Sequence, residues 1–319
     1  MHSYEETTLR LARIPDLNIS EGALLSRRTR FGIGGPADLY VETSKERSFM
    51  EGLRTVRASG HAYTVIGDGT NLIVADGGFR GIVLRFTADA IRKTGLCVEA
   101  DAGAELQHLV DYCIDHGLKG IETMTGIPGS VGAAVYGNAG AYGHSIQERV
   151  ESVRYFDGEA VRLAENSECE FAYRESAFKR HKEWVVLSAR LRLDPAEASE
   201  LTAIADGILK IRNDKYPPSM RCAGSIFKNL LLNQISEPLR SQIPAGVIRE
   251  GKVPAAYFLD VAGAKGMKDG DIHVADYHAN LIYNAGAGTA RQVQAVIQTL
   301  KAGVLERFGL ELEEEVQYL

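Results

Sequence analysis

The feature that most constrains this chain is a glycine-rich run near its middle. Six of the residues from 126 to 143 are glycine, and apart from Pro128, Tyr136 and Tyr142 the others have small or medium-sized side chains. Because glycine has no Cβ, a flat ligand can lie against such a backbone and receive its N–H groups. A structural connection rarely needs so many glycines, so the run predicts a ligand-binding segment.

A second glycine segment follows a predicted strand over Tyr63–Ile66 and has the sequence Gly67-Asp68-Gly69-Thr70-Asn71. Successive backbone N–H groups in such a segment can converge on an anion such as a phosphate. An ordinary β-turn has a similar composition, and the residues alone leave both interpretations open.

Three weaker patterns favour ordinary structure over chemistry. Residues 32–37 match the GxGxxG/A pattern, but they precede a strand, and Pro36 stands where a helix should open. Ser225 lacks the second glycine of a hydrolase nucleophile turn. Four acidic and histidine side chains divide between the two faces of a predicted strand, so we predict no metal site at Asp271, His273, Asp276 and His278.

Composition bounds the remaining possibilities. The chain has 319 residues, 45% of them hydrophobic, and a formal charge of -6 from 36 basic and 42 acidic residues. This profile is typical of a globular protein and argues against a nucleic-acid scaffold. No stretch approaches the about 20 apolar residues of a membrane span, and the N-terminus lacks the apolar core of an export signal. The four cysteines form no CxxC pair, so we expect reduced thiols in the cytoplasm.

Helices and strands mix without a regular βαβ alternation, which predicts an α+β fold and not a doubly wound sheet. We predict three parts, over residues 1–87, 88–200 and 201–319. Thr43 and Glu46 have the spacing of a capping box at the start of a helix.

Further along the chain, Asp157-Gly158 between two apolar runs predicts a hairpin. Apolar stripes predict helices from Leu201 to Ile211 and from Thr289 to Phe308. A last strand is expected over residues 310–319.

Five motifs in order resemble those of the UDP-N-acetylenolpyruvoylglucosamine reductase family, and the resemblance extends from about Arg28 to the C-terminus. The motifs are residues 67–71, residues 126–133 with 138–143, Tyr173-Arg174-x-Ser176-x-Phe178-Lys179, Ala223-Gly224-Ser225-x-Phe227-Lys228-Asn229 and Glu315-Val316. Five ordered motifs are far more specific than one glycine pattern.

The resemblance implies an FAD enzyme with a vanillyl-alcohol-oxidase (PCMH) type FAD-binding region of two α+β subdomains, followed by an α+β substrate-binding domain. Such an enzyme reduces the enolpyruvyl ether of UDP-N-acetylglucosamine to UDP-N-acetylmuramate with NADPH, in cytoplasmic peptidoglycan precursor synthesis. A monomer without nucleic-acid or membrane partners is expected. There is no room between Phe178 and residue 201 for an extra substrate-covering loop, which places the chain in the shorter class.

The resemblance also implies roles for individual residues. Ser225 matches the proton donor, and Arg174 and Glu315 match the pair that stabilises an enol-type intermediate. Residues expected to contact substrate are Tyr142, Tyr173, Lys215 and Asn229. Residues expected to bind FAD are Gly67, Asp68, Gly69, Thr70, Asn71, Gly126, Ile127, Pro128, Gly129, Val131, Gly132, Asn138, Ala139 and Gly140.

The chain departs from the family pattern at two places, and two other functions remain as alternatives. Leu230 stands where the family usually has proline, and about twenty extra residues follow it before Val253. The alternatives are another FAD-dependent oxidoreductase acting on an unrelated alcohol or hydroxy acid, and a nucleotide-sugar-binding protein without redox chemistry.

Overall fold

The structure, a computed structural model, describes residues 4–319. Its α-helices are α1 (Tyr4–Leu11), α2 (Glu46–Ser59), α3 (Leu106–Asp115), α4 (Val131–Tyr136), α5 (Ala177–Arg180), α6 (Ala198–Lys215), α7 (Glu237–Arg240), α8 (Ala255–Val261) and α9 (Ala290–Phe308).

The strands are mostly short. They are β1 (Asn18–Leu24), β2 (Pro36–Thr43), β3 (Tyr63–Val65), β4 (Leu72–Ile73), β5 (Phe79–Phe86), β6 (Ile91–Thr94), β7 (Cys97–Asp101), β8 (Leu118–Lys119), β9 (Gly140–Ala141), β10 (His144–Ser145), β11 (Val150–Phe156), β12 (Val161–Glu165), β13 (Val185–Arg192), β14 (Asp194–Pro195), β15 (Cys222–Ser225), β16 (Leu230–Leu231), β17 (Lys252–Val253), β18 (Lys268–Asp269), β19 (Ile272–Ala275), β20 (His278–Asn284) and β21 (Gln317–Tyr318).

The chain forms two compact units, each built from several stretches of sequence. Of the described residues, unit 1 comprises 4–23, 37–68 and 80–214, and unit 2 comprises 24–36, 69–79 and 215–319. Each unit has its own apolar core.

Unit 1 contains two principal sheets. One has the strand order β1-β2-β5-β3, and the other has the order β12-β11-β13-β7-β6. Helices α2 and α3 bury apolar stripes in the core of this unit, where Phe49, Leu53, Leu109 and Val110 are almost fully inaccessible. The prediction of two subdomains divided at residue 87 stays a prediction, and the presence of two sheets supports it as a proposal.

Unit 2 is organised around the antiparallel sheet β15-β20-β19-β18. Helix α9 begins with a capping box at Thr289 and Gln292, which satisfies backbone N–H groups of its first turn. Its apolar face buries Val293, Ile297 and Leu300 in the core of the unit.

Most predicted elements are confirmed, including the hairpin of β11 and β12 and helices α2, α6 and α9. The capping box at Thr43 is wrong: α2 has Lys45 at its N-cap without a side-chain cap, and the Thr43 hydroxyl accepts a hydrogen bond from Lys45 N at 3.0 Å. The long last strand is also wrong, because within residues 310–319 only Gln317–Tyr318 forms a strand, pairing in parallel with β4. Among residues 4–319, no helix combines the length and apolar character needed to cross a bilayer.

Candidate active site

In unit 1, the two glycine segments predicted to bind a cofactor lie in direct contact. A Cβ added to Gly67, just after β3, would lie 2.8 Å from the Ser130 hydroxyl oxygen, so only glycine fits here without a shift. Asp68 beside it forms an ion pair with Arg85 of β5. Two stretches far apart in sequence therefore lie against each other.

The backbone N–H groups of residues 126–132 divide into two sets. Val131 N donates to the Ala104 carbonyl and Gly132 N to the Ala102 carbonyl, both at 2.8 Å, so the fold itself uses these amides. Within residues 4–319, by contrast, the amides of Gly129 and Ser130 donate to no protein acceptor. We therefore expect these two amides to be the ones that donate to a ligand.

A third predicted segment, residues 138–140, is held against the loop that carries Arg174. The Asn138 side-chain amide donates to the Ala172 carbonyl at 2.7 Å, and Arg174 Nη2 donates to the Gly140 carbonyl at 3.1 Å. The guanidinium carbon of Arg174 lies 5.4 Å from the centre of the Tyr173 ring. The Asn138 side chain therefore fixes the loop, and Arg174 is oriented by its neighbours.

The backbone of Arg174 has a left-handed conformation, with φ of 59°. Such a conformation is unusual for a residue with a Cβ and persists where the surroundings favour it. Here Lys179 Nζ donates to the Arg174 carbonyl at 2.8 Å and also pairs with Glu175 at 2.9 Å. Tyr142 lies in the two-residue turn between β9 and β10, and its side chain is exposed.

In unit 2, the rest of the segment 67–71 packs closely on residues 28–30. A Cβ at Gly69 would lie 2.2 Å from the Arg28 carbonyl oxygen, and Gly69 itself has a φ of 64°. Asn71, two residues further, donates through its side-chain amide to the Glu315 carbonyl at 3.0 Å. The structure therefore brings a predicted cofactor residue and a predicted catalytic residue together in this unit.

Ser225 lies at the end of β15, where the pairing with β20 is interrupted. The register shifts between Cys222 and Ser225, and Gly224 has a φ of 77°. Such bulges redirect the side chain that follows. The Ser225 hydroxyl lies 3.0 Å from the hydroxyl of Tyr216.

The C-terminal segment holds the chain just after Ser225. Glu315 N donates to the Ile226 carbonyl at 2.7 Å, and Lys228 N donates to the Glu313 carbonyl at 2.9 Å. The tertiary structure therefore places the Glu315 backbone next to the Ser225 motif.

The remaining predicted substrate residues, Lys215 and Asn229, also lie in unit 2. Lys215 ends α6, and its Nζ lies 5.0 Å from the centre of the Tyr216 ring. The Asn229 side-chain oxygen accepts a hydrogen bond from Ala255 N at 3.3 Å, so this side chain supports the start of α8. Its predicted contact with substrate stays a prediction.

Three residues of structural or chemical interest escaped the sequence analysis. Ser130 caps α4 with its hydroxyl. Tyr216 contacts Ser225, and the only hint in the sequence is a hydroxyl group next to Lys215. Asn280 is 3% exposed and exchanges two hydrogen bonds of 2.9 Å with the Phe227 backbone. A polar residue inside the apolar run of β20 was the available signal for Asn280.

His278 offers a pH-dependent test of how unit 2 is built. Burial, and secondarily the charge of Lys215, lower its pKa to about 4, and its neutral Nδ1 accepts a hydrogen bond from Asn280 N at 3.1 Å. In the unfolded chain the pKa returns to about 6.5, so the unfolded chain binds this proton first as the pH falls. The stability that the neutral ring contributes is thus present above pH 6.5 and is lost as the pH falls toward 4. Over this range the free energy of unfolding should fall by up to about 3 kcal/mol.

We therefore expect His278→Gln to flatten the pH dependence of the unfolding free energy between pH 6.5 and 4, measured by urea denaturation. His273→Gln, a change on the neighbouring strand β19, serves as the control for losing a histidine side chain. Parallel curves for His278→Gln and the wild type would contradict this account.

Comparison with known proteins agrees with the geometry of both units. Residues 37–163 match the model of the FAD binding domain family, and residues 216–319 match that of the UDP-N-acetylenolpyruvoylglucosamine reductase C-terminal domain. A UDP-N-acetylenolpyruvoylglucosamine reductase of Solibacter usitatus is 60% identical over 311 residues, covering 98% of this chain and 100% of that protein. The chain belongs to the UDP-N-acetylenolpyruvoylglucosamine reductase family.

More distant members of the family agree. The Pediococcus pentosaceus reductase is 35% identical over 308 residues, covering 96% of this chain and 95% of its own length. The crystal structure of the UDP-N-acetylenolpyruvylglucosamine reductase from Thermus caldophilus superimposes with a TM-score of 0.75 at 28% identity, covering 95% of this chain and 99% of that one. The resemblance, the α+β fold class and the FAD cofactor predicted from the sequence are confirmed, and the matches do not support a different flavin oxidoreductase.

The residues of unit 1 fit an FAD diphosphate. The diphosphate is an anion that binds well to converging backbone N–H groups without intervening side chains. Gly67 has no room for a Cβ, and next to it the amides of Gly129 and Ser130 donate to no acceptor within residues 4–319. We therefore expect this backbone surface to hold the FAD diphosphate.

Proposed function

We propose that the chain reduces the enolpyruvyl ether of UDP-N-acetylglucosamine to the lactyl ether of UDP-N-acetylmuramate, with NADPH as the electron donor and FAD as the bound cofactor. The observation that carries the proposal is the arrangement in unit 2, where Glu315 N donates to the Ile226 carbonyl beside Ser225. Ser225 and Glu315 match the family's catalytic positions and are widely separated in sequence. They thus lie close together in a domain of this family.

In this proposal, the bound FAD supplies hydride transfer, which no side chain of the protein can provide. Hydride arriving at one alkene carbon moves negative charge onto the substrate carboxylate, which a cation such as Arg174 would stabilise. The family resemblance implies roles in stabilising the enol-type intermediate for both Arg174 and Glu315. Ser225 donates its hydroxyl proton to the neighbouring carbon. The local contacts of Arg174 with Gly140 and Tyr173 support its role as an oriented cation.

Lys215 is proposed to bind the diphosphate of the sugar nucleotide. Lys215→Ala should raise the KM for the sugar nucleotide by about 10- to 150-fold, since a lost hydrogen bond to a charged group costs about 1.5–3 kcal/mol. Lys268→Ala is the control, because Lys268 is an exposed lysine of β18 in the same unit. Steady-state kinetics in which Lys215→Ala keeps the wild-type KM would remove Lys215 from the site.

The function is tested by anaerobic mixing in two steps while the flavin absorbance is followed. Addition of NADPH should bleach the flavin, and addition of the enolpyruvyl substrate should then restore the colour. Flavin that NADPH bleaches but the enolpyruvyl sugar nucleotide leaves bleached would refute the substrate assignment. Protein without flavin absorbance would favour the alternative of a nucleotide-sugar-binding protein.

We further propose that the protein acts as a monomer in the cytoplasm, where the UDP-linked precursors of peptidoglycan are made. Mass measurement in solution and cell fractionation test these two proposals. We also propose residues 201–319 as the substrate-binding domain. The family match supports this assignment for residues 216–319, whereas residues 201–214 belong to unit 1.

A further inference from the structure

Tyr216 lies in contact with the proposed proton donor. Its hydroxyl is 3.0 Å from the Ser225 hydroxyl, a distance at which one group donates a hydrogen bond to the other. Both residues belong to unit 2 and are partly buried. The contact therefore joins two O–H groups that can pass a proton.

The position of the Tyr216 ring is defined by its neighbours. Lys215 Nζ lies 5.0 Å from the ring centre, and the centre of the His278 ring lies 6.3 Å away. The backbone just before it is also held, because the Tyr277 hydroxyl donates to the Lys215 carbonyl at 3.0 Å. These contacts restrict the ring and keep its hydroxyl near Ser225.

We propose that Tyr216 is a positioning residue that acts through Ser225, orienting its hydroxyl and returning a proton to it during turnover. The inference rests on the proposed function, in which Ser225 protonates a substrate carbon. It assigns a role in the reaction to a residue that no motif in the sequence singled out.

The chemical reason is the weak acidity of a serine hydroxyl. When the Ser225 O–H bond breaks and the new C–H bond forms, an electron pair remains on the serine oxygen. A phenol is a much stronger acid than an aliphatic alcohol, so the Tyr216 hydroxyl transfers its proton to that oxygen. The charge then resides on the phenolate, which recovers a proton from water, so no serine alkoxide accumulates and the proton consumed comes from solvent.

The test compares Tyr216→Phe with the wild-type holoenzyme in the two half-reactions. We expect the bleaching of the flavin by NADPH to keep its rate and reoxidation by the enolpyruvyl substrate to slow by about 10- to 100-fold, the effect of a lost hydrogen bond and proton relay. Substrate affinity from calorimetry and the melting temperature should stay near wild-type values. Equal rates of reoxidation in both proteins would overturn the inference.

Tyr283→Phe is the matched control, because it removes a tyrosine hydroxyl from β20 of the same unit, and this hydroxyl lies 3.4 Å from Nδ1 of His273. It should leave reoxidation at the wild-type rate. Slowing equal to that of Tyr216→Phe would show a general effect of losing a hydroxyl and would overturn the inference.

A double-mutant cycle identifies the route of the effect. If Tyr216 acts through Ser225, then Tyr216→Phe adds no further slowing in the Ser225→Ala background. Multiplicative slowing would show that Tyr216 acts on its own and would overturn the proposal.

Two further measurements separate proton transfer from packing. Wild-type reoxidation in mixtures of H₂O and D₂O should show a curved rate dependence from two moving protons, which becomes linear in Tyr216→Phe. Tyr216→Gln keeps a hydrogen-bond donor but cannot relay a proton, so its reoxidation should remain slow, and full activity would contradict the relay.

If wild-type flavin is not reoxidised by the enolpyruvyl substrate at all, the proposed function fails before any variant is compared.

Discussion

Replacing Ser225 by alanine is expected to slow reoxidation of the flavin by the enolpyruvyl substrate by about 10²- to 10⁴-fold, the usual contribution of a positioned acid. Reoxidation requires a proton delivered to a substrate carbon, and the alanine methyl group has none to give. Bleaching of the flavin by NADPH needs no such proton and should keep its rate. Stopped-flow absorbance measures both half-reactions separately in one protein.

The position of Ser225 makes this variant a clean test. The residue follows the bulge at Gly224 and is partly buried, and its hydroxyl contacts Tyr216. Loss of one oxygen here should disturb packing little. Ser225→Cys keeps a donor on a larger atom and should recover part of the rate. Equal slowing of both half-reactions would point to a role in placing the flavin, and normal turnover by Ser225→Ala would reject Ser225 as the proton donor.

The second large effect is expected at Gly129. This residue has a φ of 117°, a conformation that residues with a Cβ avoid, and its amide and that of Ser130 donate to no acceptor within residues 4–319. Gly129→Val must change the backbone angle and so move both amides. We expect FAD affinity to fall by more than about tenfold, equivalent to about 1.4 kcal/mol, and the purified protein to lose its yellow colour.

Gly158→Val provides the matched control for backbone strain. Gly158 lies in the turn between β11 and β12 with a φ of 109°, close to that of Gly129. Both variants should lower the melting temperature, whereas only Gly129→Val should lose flavin in a fluorescence titration of the apoprotein. Gly129→Val protein that binds FAD as tightly as Gly158→Val would show that residues 126–132 are an ordinary connection.

The sequence by itself predicted most of the local structure, and its resemblance to a known family predicted the cofactor. Apolar stripes predict α6 and α9 because apolar residues recur every three or four positions, which matches the helical period of 3.6 residues. The turn at Asp157-Gly158 and the end of α2 at Gly60 are likewise properties of single residues. The glycine segments pointed to a ligand on the backbone because missing side chains are visible in a sequence.

Only the tertiary structure decided which of these residues meet. Gly67 contacts Ser130, and Glu315 N donates to the Ile226 carbonyl, through contacts that no local pattern encodes. The expected strand over residues 310–319 failed for the same reason: strand pairing depends on a distant partner, and here β4 pairs only with Gln317–Tyr318. Tyr216 and Asn280 were missed because their importance depends on the particular atoms they touch, Ser225 and the Phe227 backbone, and such distances are set by packing and not by composition.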